Sequence, residues 1–312
     1  MASSAPDRYV LTPDERLRPG ALFNHKRDRK QYELSNNIKG VEVEKQSNNK
    51  HLAFKLAQYP ELTGRVAVVT GAARGMGACF AAGLASQGVH VIGVDINEDE
   101  LKAAFEKVHQ IGGQRQGQGS LHAMRCDVTS SEDLIKVAEE ARQRHGRLDI
   151  WVNNAGVFPQ SDIGSVNAEQ VRQTFGVNVE GVFFGAQAAA DVMQPGGVIV
   201  NMASVAAFRV RRGRAIYSAT KAAVHNLTRS LSVELGDKGI RVNALAPGFI
   251  DTEMTNWVRE IPGAMDKALA SIPLGHIGTP EHVLGALLFL VSDSAAYVSG
   301  QTLGVDGGSR HG

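Results

Sequence analysis

The chain has 312 residues, of which 43% are hydrophobic and 21% are charged, and its formal net charge is +1. This composition is typical of a globular chain that buries one or two substantial cores. The near-zero net charge gives no indication of a nucleic-acid partner or an acidic membrane surface. The longest strongly apolar stretch, residues 283–291, is far shorter than the roughly 20 residues of a membrane span. We therefore predict a core helix there and no membrane partner.

The first segment, residues 1–60, differs in character from the rest of the chain. It is polar, contains a basic run at 25–30, and lacks the apolar region of a secretory signal. Its acidic residues also argue against a transit peptide. We predict a polar N-terminal extension over 1–60, partly disordered or docked through Phe54, Leu56 and Tyr59, followed by one cofactor-binding domain over 61–312.

From residue 64 onward, short apolar runs alternate with helical stretches. Strands are predicted at 66–69, 89–94, 122–126, 148–153, 198–202, 240–245 and 301–305. This alternation is the signature of βαβ units. Because parallel crossovers are right-handed and cover both faces of a sheet, we predict an α/β fold, a Rossmann-type doubly wound parallel sheet of seven strands. Its ligand crevice should lie beyond the carboxyl ends of the strands.

A glycine-rich turn follows the first predicted strand and opens a helix. Gly71, Gly75 and Gly77 lack Cβ atoms, so the backbone can turn sharply and approach a pyrophosphate at the positive helix N-terminus. Without its strand and helix such a turn would indicate a structural loop as readily as a phosphate site. In this context it predicts dinucleotide binding.

Asp95 ends the second predicted strand, where a carboxylate can accept hydrogen bonds from the ribose hydroxyls of adenosine. A 2′-phosphate at that place would meet a like charge, which favours NAD over NADP. Arg74 is a contrary signal, because a basic residue there can contact such a phosphate. The alternative for Arg74 is a solvated or helix-capping side chain.

The two cysteines, Cys79 and Cys126, fall inside predicted elements and are expected to be buried, reduced thiols. This expectation fits a reducing compartment and a cytoplasmic protein. No Cys/His cluster has metal-ligand spacing, so we predict no metal.

Tyr217 and Lys221 stand four residues apart, so on a helix they share one face. A lysine ammonium close to a phenol favours its ionised form and makes the tyrosine a proton donor and acceptor near neutral pH. Alone, this pair is equally consistent with a solvated helix face. The residues that precede and follow it, including Ser204, favour the catalytic interpretation.

Several motifs stand in a characteristic order along the chain. They are the turn at 70–77, Asp95, Asp127-Val128, Asn153-Asn154-Ala155-Gly156, Asn178, Ser204, Tyr217-x-x-x-Lys221 and Pro247-Gly248-x-Ile250-x-Thr252. This order resembles the short-chain dehydrogenase/reductase family in its shorter, single-domain form. The resemblance implies cofactor contacts at Gly71, Arg74, Gly75, Met76, Gly77, Asp95, Asp127, Val128, Asn154, Ala155, Gly156, Tyr217, Lys221, Pro247, Gly248, Ile250 and Thr252.

The resemblance also implies a catalytic set. Ser204 would bind the substrate oxygen and Tyr217 would act as general acid/base. Lys221 would hold the nicotinamide ribose and lower the pKa of the tyrosine, and Asn178 would bind a water that links Lys221 to solvent. Helices at 168–193 and 217–235 would pair between subunits, which implies a homotetramer, with a dimer as the fallback.

The expected function is therefore an oxidoreductase that moves a hydride between a nicotinamide cofactor and a secondary alcohol or ketone. Two alternatives are a non-catalytic dinucleotide-binding sensor or scaffold, and a sugar-nucleotide epimerase or dehydratase. The substrate stays open. A lid over 249–277 carries Met254, Trp257, Ile261 and Met265, which fit an apolar pocket and helix packing equally well. The arginine run at 209–214 indicates either an anionic substrate or a solvated loop or oligomer contact.

Overall fold

The computed structural model describes residues 56–112 and 119–311. Its centre is a seven-stranded parallel sheet with the order β3-β2-β1-β4-β5-β6-β7. The strands are β1 (Val66–Thr70), β2 (His90–Asp95), β3 (Leu121–Arg125), β4 (Ile150–Asn153), β5 (Val198–Met202), β6 (Arg241–Pro247) and β7 (Thr302–Val305). The predicted doubly wound sheet is confirmed, and the strand bounds differ from the predictions by one or two residues.

Helices cover both faces of this sheet. They are α1 (Gly75–Ser86), α2 (Glu98–Gly112), α3 (Ser131–His145), α4 (Ala168–Phe175), α5 (Gly181–Val192), α6 (Ala215–Glu234), α7 (Trp257–Glu260), α8 (Ala264–Ala270) and α9 (Pro280–Val291). Because side chains alternate along a strand, β1 sends Ala67 and Val69 into a core shared with α1 and α9. Val66 and Val68 enter a second core shared with α3, α5 and α6. The near-continuous apolar runs of the sequence follow from burial on both faces.

The strand order places the crevice. β1 lies between β2 and β4, so the chain winds outward in opposite directions on either side of the β1/β4 junction. The helices that follow β1 and β4 therefore leave a gap at the carboxyl ends of these strands, where open α/β sheets bind ligands.

The helical stretch at 168–193 is not a single regular α-helix. Gly176–Glu180 forms a π-helical turn between α4 and α5. Such turns often lie at functional sites, and this one carries the buried side chain of Asn178.

At the N-terminal end of the described chain, Leu56 and Tyr59 pack partly buried against the core of α1 and α9. The backbone N–H of Tyr59 donates to Gln87 Oε1 at 2.9 Å. Residues 1–55, with the basic run at 25–30, lie outside the described residues. The boundary near residue 60 stays a prediction.

Cys79 and Cys126 are free thiols, and burial raises the pKa of each to about 12. Within 56–112 and 119–311, no helix is long and apolar enough to cross a membrane. The same residues contain no cluster of three or more His, Cys, Asp or Glu side chains that could hold a metal ion.

Candidate active site

A cavity of about 140 Å³ opens at the carboxyl ends of the central strands. The predicted site residues that line it are Met76, Asn154, Gly156, Ser204, Tyr217, Lys221, Pro247, Gly248, Ile250 and Thr252. The other predicted site residues lie in the turns beside it or behind its wall, at the ends of β1, β2, β3 and β4 and in the π-helical turn. The structure therefore brings the motifs of the sequence to one edge of the sheet.

The glycine-rich turn after β1 has the bare backbone that a pyrophosphate site requires. Gly71 and Gly75 have φ values of +65° and +55°, a region that glycine adopts without steric cost. A Cβ on Gly71 would lie 2.8 Å from the Cα of Ala155, and one on Gly77 would collide with the carbonyl of Gly71. Gly75 and Met76 at the N-terminus of α1 are only partly buried, so an anion can reach this end of the helix and the turn fits the phosphates of a dinucleotide.

Thr70 and Asn154 join the ends of β1 and β4 beneath this turn. Thr70 Oγ1 accepts hydrogen bonds from the N–H groups of Asn154 and Ala155, at 2.9 and 3.0 Å. Asn154 Nδ2 donates to the carbonyls of Thr70 and Gly71, at 2.9 and 3.0 Å. Asn154 thus holds the turn in shape, while Thr70 acts as a second anchor that the sequence analysis did not assign to the site.

Asp95 ends β2 beside the turn. Its Oδ2 accepts from the backbone N–H of Ala73 at 3.2 Å, and its Oδ1 accepts from Asn97 N–H at 3.1 Å. Both bonds hold the carboxylate next to the glycine-rich turn, where the adenosine ribose of a dinucleotide would lie.

Arg74 faces solvent with 65% of its side chain exposed. Its Nη1 lies 3.3 Å from Glu253 Oε2 and 3.8 Å from Glu100 Oε1. The guanidinium is thus engaged with carboxylates, and the acidic groups around it would repel an additional phosphate.

The turn after β3 carries the predicted adenine contacts. Asp127 Oδ1 accepts from the backbone N–H and the hydroxyl of Thr129, at 2.9 and 2.7 Å. Val128 packs against the start of α5, where a Cβ on Gly181 would lie 3.2 Å from the Cβ of Val128. Both residues are held at the β3 end of the crevice, and their contact with adenine stays a prediction.

After β6, the chain turns tightly against the C-terminal strand. The N–H of Gly248 donates to the carbonyl of Val305 at 2.9 Å, and a Cβ on Gly248 would lie 2.7 Å from the Cα of Asp306. Ile250 then pairs with Gly278, and Thr252 begins the short helical turn Glu253–Thr255. The segment that would hold a nicotinamide therefore lines the cavity, with Thr252 beside Gly75 of the glycine-rich turn.

Ser204 and Tyr217 meet inside the cavity. Ser204 follows β5 and its Oγ accepts from the backbone N–H of Ala206 at 3.1 Å. Tyr217 lies in the first turn of α6. Burial raises the pKa of Tyr217, while a hydrogen bond with the Ser204 side chain and the positive charge of Arg214 lower it. The hydroxyl that would exchange a proton with substrate is thus next to the serine.

Lys221 is buried one helical turn beyond the tyrosine, with 5% of its surface exposed. Burial lowers its pKa to about 8, and its Nζ donates to the carbonyl of Met202 at 2.7 Å. This Nζ lies 5.7 Å from the ring centroid of Tyr217. The groups that lower the tyrosine pKa here are Ser204 and Arg214, so the expected effect of Lys221 on that pKa stays a prediction.

Asn178 is fully buried in the π-helical turn, and its amide is held on both sides. Its Oδ1 accepts from Val157 N–H at 2.8 Å, and its Nδ2 donates to Val157 O and Thr220 Oγ1, at 3.0 and 3.1 Å. Thr220 in turn donates to the carbonyl of Tyr217 at 2.8 Å. A Cβ on Gly156 would lie 3.3 Å from Asn178 Oδ1 and 3.7 Å from Lys221 Nζ, so this glycine keeps the space between the two side chains open.

Several side chains in the cavity lining or near it were missed or left open by sequence reasoning. The ring of Phe158 makes an edge contact with Tyr217 at 4.5 Å between centroids. The sequence feature that could have identified Phe158 is its place in the loop after Gly156. Thr220, between Tyr217 and Lys221, had no signal beyond that position. Of the lid residues, Met254 lines the cavity, whereas Ile261 is 52% exposed to solvent.

Comparisons with known proteins agree with this geometry. A family model described as enoyl-(acyl carrier protein) reductase matches residues 71–310. The 3-oxoacyl-(acyl-carrier-protein) reductase FabG of Thermotoga maritima is 37% identical over 249 residues, which cover 79% of this chain and 98% of that protein. A short-chain type dehydrogenase/reductase from Mycobacterium ulcerans has a TM-score of 0.76 at 31% identity, covering 81% of this chain and 91% of the other. A short chain dehydrogenase from Burkholderia cenocepacia, in complex with NADP, has a TM-score of 0.73 at 30% identity, covering 80% and 98%.

Proposed function

The chain belongs to the short-chain dehydrogenase/reductase family, and from that premise we propose that Tyr217 is the general acid/base of its reaction. The protein is an NAD(P)-dependent oxidoreductase that acts on alcohol and ketone groups. Its relatives are oxidoreductases, which supports the catalytic interpretation over a non-catalytic sensor. The observation that carries the proposal is that Ser204, Tyr217 and Lys221 line one cavity, with Ser204 close enough to Tyr217 to lower its pKa.

The residues around the cavity fit a dinucleotide. Gly71, Gly75 and Gly77 would receive its pyrophosphate at the N-terminus of α1, and Asp95 would receive the adenosine ribose. Ile250 and Thr252 would hold the carboxamide of the nicotinamide. When bound, the nicotinamide supplies the hydride acceptor for oxidation or the hydride donor for reduction.

Ser204 and Tyr217 handle the substrate oxygen. The Ser204 hydroxyl orients this oxygen toward the tyrosine by a hydrogen bond. In the oxidation direction the phenolate of Tyr217 takes the carbinol proton, and in the reduction direction the phenol returns a proton to the developing alkoxide. Burial raises the pKa of Tyr217 above its ordinary value, and Ser204 and Arg214 offset only part of this rise.

Lys221 and Asn178 connect the tyrosine to solvent. With its pKa lowered to about 8, Lys221 can gain and lose a proton close to physiological pH. Gly156 leaves the space between Lys221 Nζ and Asn178 Oδ1 free of side chains, and that space suits a solvent relay. Asn178 itself is held by Val157 and Thr220, so its position is rigid.

The preferred cofactor in this proposal is NAD. Asp95 lies where the ribose would bind, and Arg74 is engaged with Glu100 and Glu253. A 2′-phosphate would therefore enter a region with several carboxylates. The relative from Burkholderia cenocepacia binds NADP, so membership of the family does not decide between NAD and NADP. The preference for NAD in this proposal depends on the charges around Asp95 and Arg74.

The proposal also includes a homotetramer, with a dimer as the fallback. Apolar side chains are exposed on the outer faces of α5 and α6, where Phe183 is 39% and Val233 is 79% exposed. β7 is an edge strand and its Leu303 is 39% exposed. The helix surface of α5 and α6 and the edge strand β7 could each form a separate subunit interface, as a tetramer requires. A monomeric mass in light scattering at micromolar concentration would contradict both forms of the proposal.

A cytoplasmic location completes the proposal. It is supported by the two free cysteines, because thiols stay reduced in that compartment. Fractionation of cells that produce the full chain tests it, and recovery in a secreted fraction would refute it.

The Tyr217→Phe variant tests the central assignment. It deletes one hydroxyl, so turnover should fall by at least about 10²-fold while NADH affinity, measured by fluorescence titration, stays within about twofold of the unmodified protein. Tyr297→Phe is the matched control, since Tyr297 is fully exposed and does not line the cavity. Retention of more than about a tenth of the rate by Tyr217→Phe would rule out Tyr217 as the general acid/base.

A further inference from the structure

Three arginines of the run at 209–214 line the cavity that contains Ser204 and Tyr217. They are Arg209, Arg211 and Arg214. Among the described residues that line the cavity there is no Asp or Glu. Arginine stays protonated in proteins, so this end of the cavity carries a concentration of positive charge with no carboxylate in its lining.

Arg209 and Arg211 keep guanidinium donors available beyond their hydrogen bonds to the protein. Arg209 Nη1 donates to the carbonyl of Ser309 at 2.7 Å, and Arg211 Nη2 donates to Ser271 Oγ at 3.0 Å. A guanidinium has five N–H donors, and each of these bonds uses one nitrogen. The guanidinium of Arg214 lies over the ring of Phe158, 4.9 Å from its centroid. Ser309, Ser271 and Phe158 are thus the neighbours that orient Arg209, Arg211 and Arg214, respectively.

The three charges also act on one another. Burial and the charge of Arg209 lower the pKa of Arg211, and burial together with the charge of Arg211 lowers the pKa of Arg214. Like charges that are partly withdrawn from water repel one another. An anion bound among them would relieve this repulsion and replace the lost hydration with charge-assisted hydrogen bonds.

The phosphates of a dinucleotide do not account for this charge. Their binding turn lies after β1, whereas the arginines follow β5, and β4 separates the two strands. The arginines stand instead on the segment between Ser204 and Tyr217, the two residues that would hold the reacting oxygen. Apolar side chains also line the cavity, among them Phe158, Val205, Phe249, Met254 and Ile272.

We propose that Arg209 and Arg211, with the positive charge of Arg214 beside them, bind a carboxylate on the substrate, which is then a secondary alcohol or ketone with an apolar body and an acid group. This inference rests on the function proposed above, because it assigns the substrate end of the same cavity. Arg212 does not belong to the site. Its side chain is 97% exposed and lies 4.0 Å from Asp162.

Binding of a matched acid and amide tests the inference without turnover. The probes are cyclohexanecarboxylate and cyclohexanecarboxamide, titrated calorimetrically into the full chain saturated with NADH, and again with NADPH. The acid should bind about ten- to a hundredfold more tightly than the amide, the range that hydrogen bonds to a charged group support. Equal affinities for the two probes would overturn the inference, and this comparison requires no variant.

Two glutamine variants test whether the preference for the acid probe arises from an arginine that lines the cavity. Arg211→Gln should weaken binding of the acid about tenfold and leave binding of the amide unchanged. Arg212→Gln is the control from the same loop and should change neither. Arg211→Lys keeps a charge and should recover part of the lost affinity. An Arg212→Gln variant that weakens acid binding as much as Arg211→Gln would show a general surface-charge effect and overturn the inference.

Turnover of 4-hydroxycyclohexanecarboxylate and 4-hydroxycyclohexanecarboxamide separates this inference from the proposed function. Oxidation of both with equal kcat/KM supports hydride transfer and refutes the carboxylate site. Oxidation of the acid at about tenfold or higher kcat/KM supports both. Turnover of neither, together with tight and Arg211-dependent binding of the acid probe, supports the carboxylate site and counts against the proposed reaction on these alcohols.

Discussion

Replacement of Lys221 by methionine should stabilise the fold near neutral pH while it destroys the site. Lys221 is buried with 5% exposure, and burial lowers its pKa from 10.5 to about 8. At about 1.4 kcal/mol per pKa unit, the charged form is destabilised in the folded protein by about 3 kcal/mol. Methionine has similar length and no charge to desolvate, so it removes this cost.

A second effect opposes the gain. Lys221 Nζ donates to the carbonyl of Met202 at 2.7 Å, and loss of that donor costs about 1–2 kcal/mol. The net result for Lys221→Met at pH 7 is an increase of about 1–2 kcal/mol in the free energy of unfolding. A lysine kept at such a cost is the expected pattern for a side chain that serves the reaction.

The pH dependence supplies the sharper test. Between about pH 8 and 10.5 the unfolded chain binds more protons at this lysine than the folded chain does, so the unmodified protein gains stability as pH rises. Lys221→Met lacks this gain. The excess in free energy of unfolding of Lys221→Met over the unmodified protein should therefore shrink by about 2 kcal/mol between pH 7 and pH 10. Once the lysine is neutral in both the folded and the unfolded chain, Lys221→Met should be the less stable protein.

Urea unfolding followed by tryptophan fluorescence, at one protein concentration and at several pH values, measures this difference. The cofactor is left out so that binding does not contribute. Lys238→Met is the control, because Lys238 is exposed in the turn after α6. The difference in free energy of unfolding between Lys238→Met and the unmodified protein should not change with pH. Parallel stability curves for Lys221→Met and the unmodified protein would refute the reasoning, because burial would then impose no cost on the charge.

Three further expectations follow from the site and the chain start. Arg214→Gln removes a charge that lowers the pKa of Tyr217, so the rising limb of the kcat–pH profile for alcohol oxidation should move to higher pH; an unmoved limb would contradict this. Asp95→Ala should reduce the preference for NADH over NADPH, measured as the ratio of kcat/KM values, and equal efficiencies in the unmodified protein would refute the preference itself. A chain that begins at Tyr59 should keep its turnover rate but melt at a lower temperature, because Leu56 packs against the core; loss of NADH binding would place part of the site before Tyr59.

The fold and the main site residues could be predicted because their signals are local. The central strands β1, β4 and β5 are short apolar runs buried on both faces, and the turn at 70–77 combines its glycines with the strand before it and the helix after it. Tyr217 and Lys221 share a helix face through their spacing. Such signals depend on neighbours within a few residues, so a linear pattern is sufficient to detect them.

Other properties depend on segments that are distant in sequence. Lys221 has a lowered pKa because strands and helices exclude water around it, and Thr220 joins the site because the π-helical turn brings Asn178 to it. The arginine run gives the clearest case. Four arginines look alike in the sequence, yet three line the cavity and Arg212 faces solvent. Solvent exclusion and side-chain direction arise when separate elements pack together, so no local pattern could distinguish these four side chains.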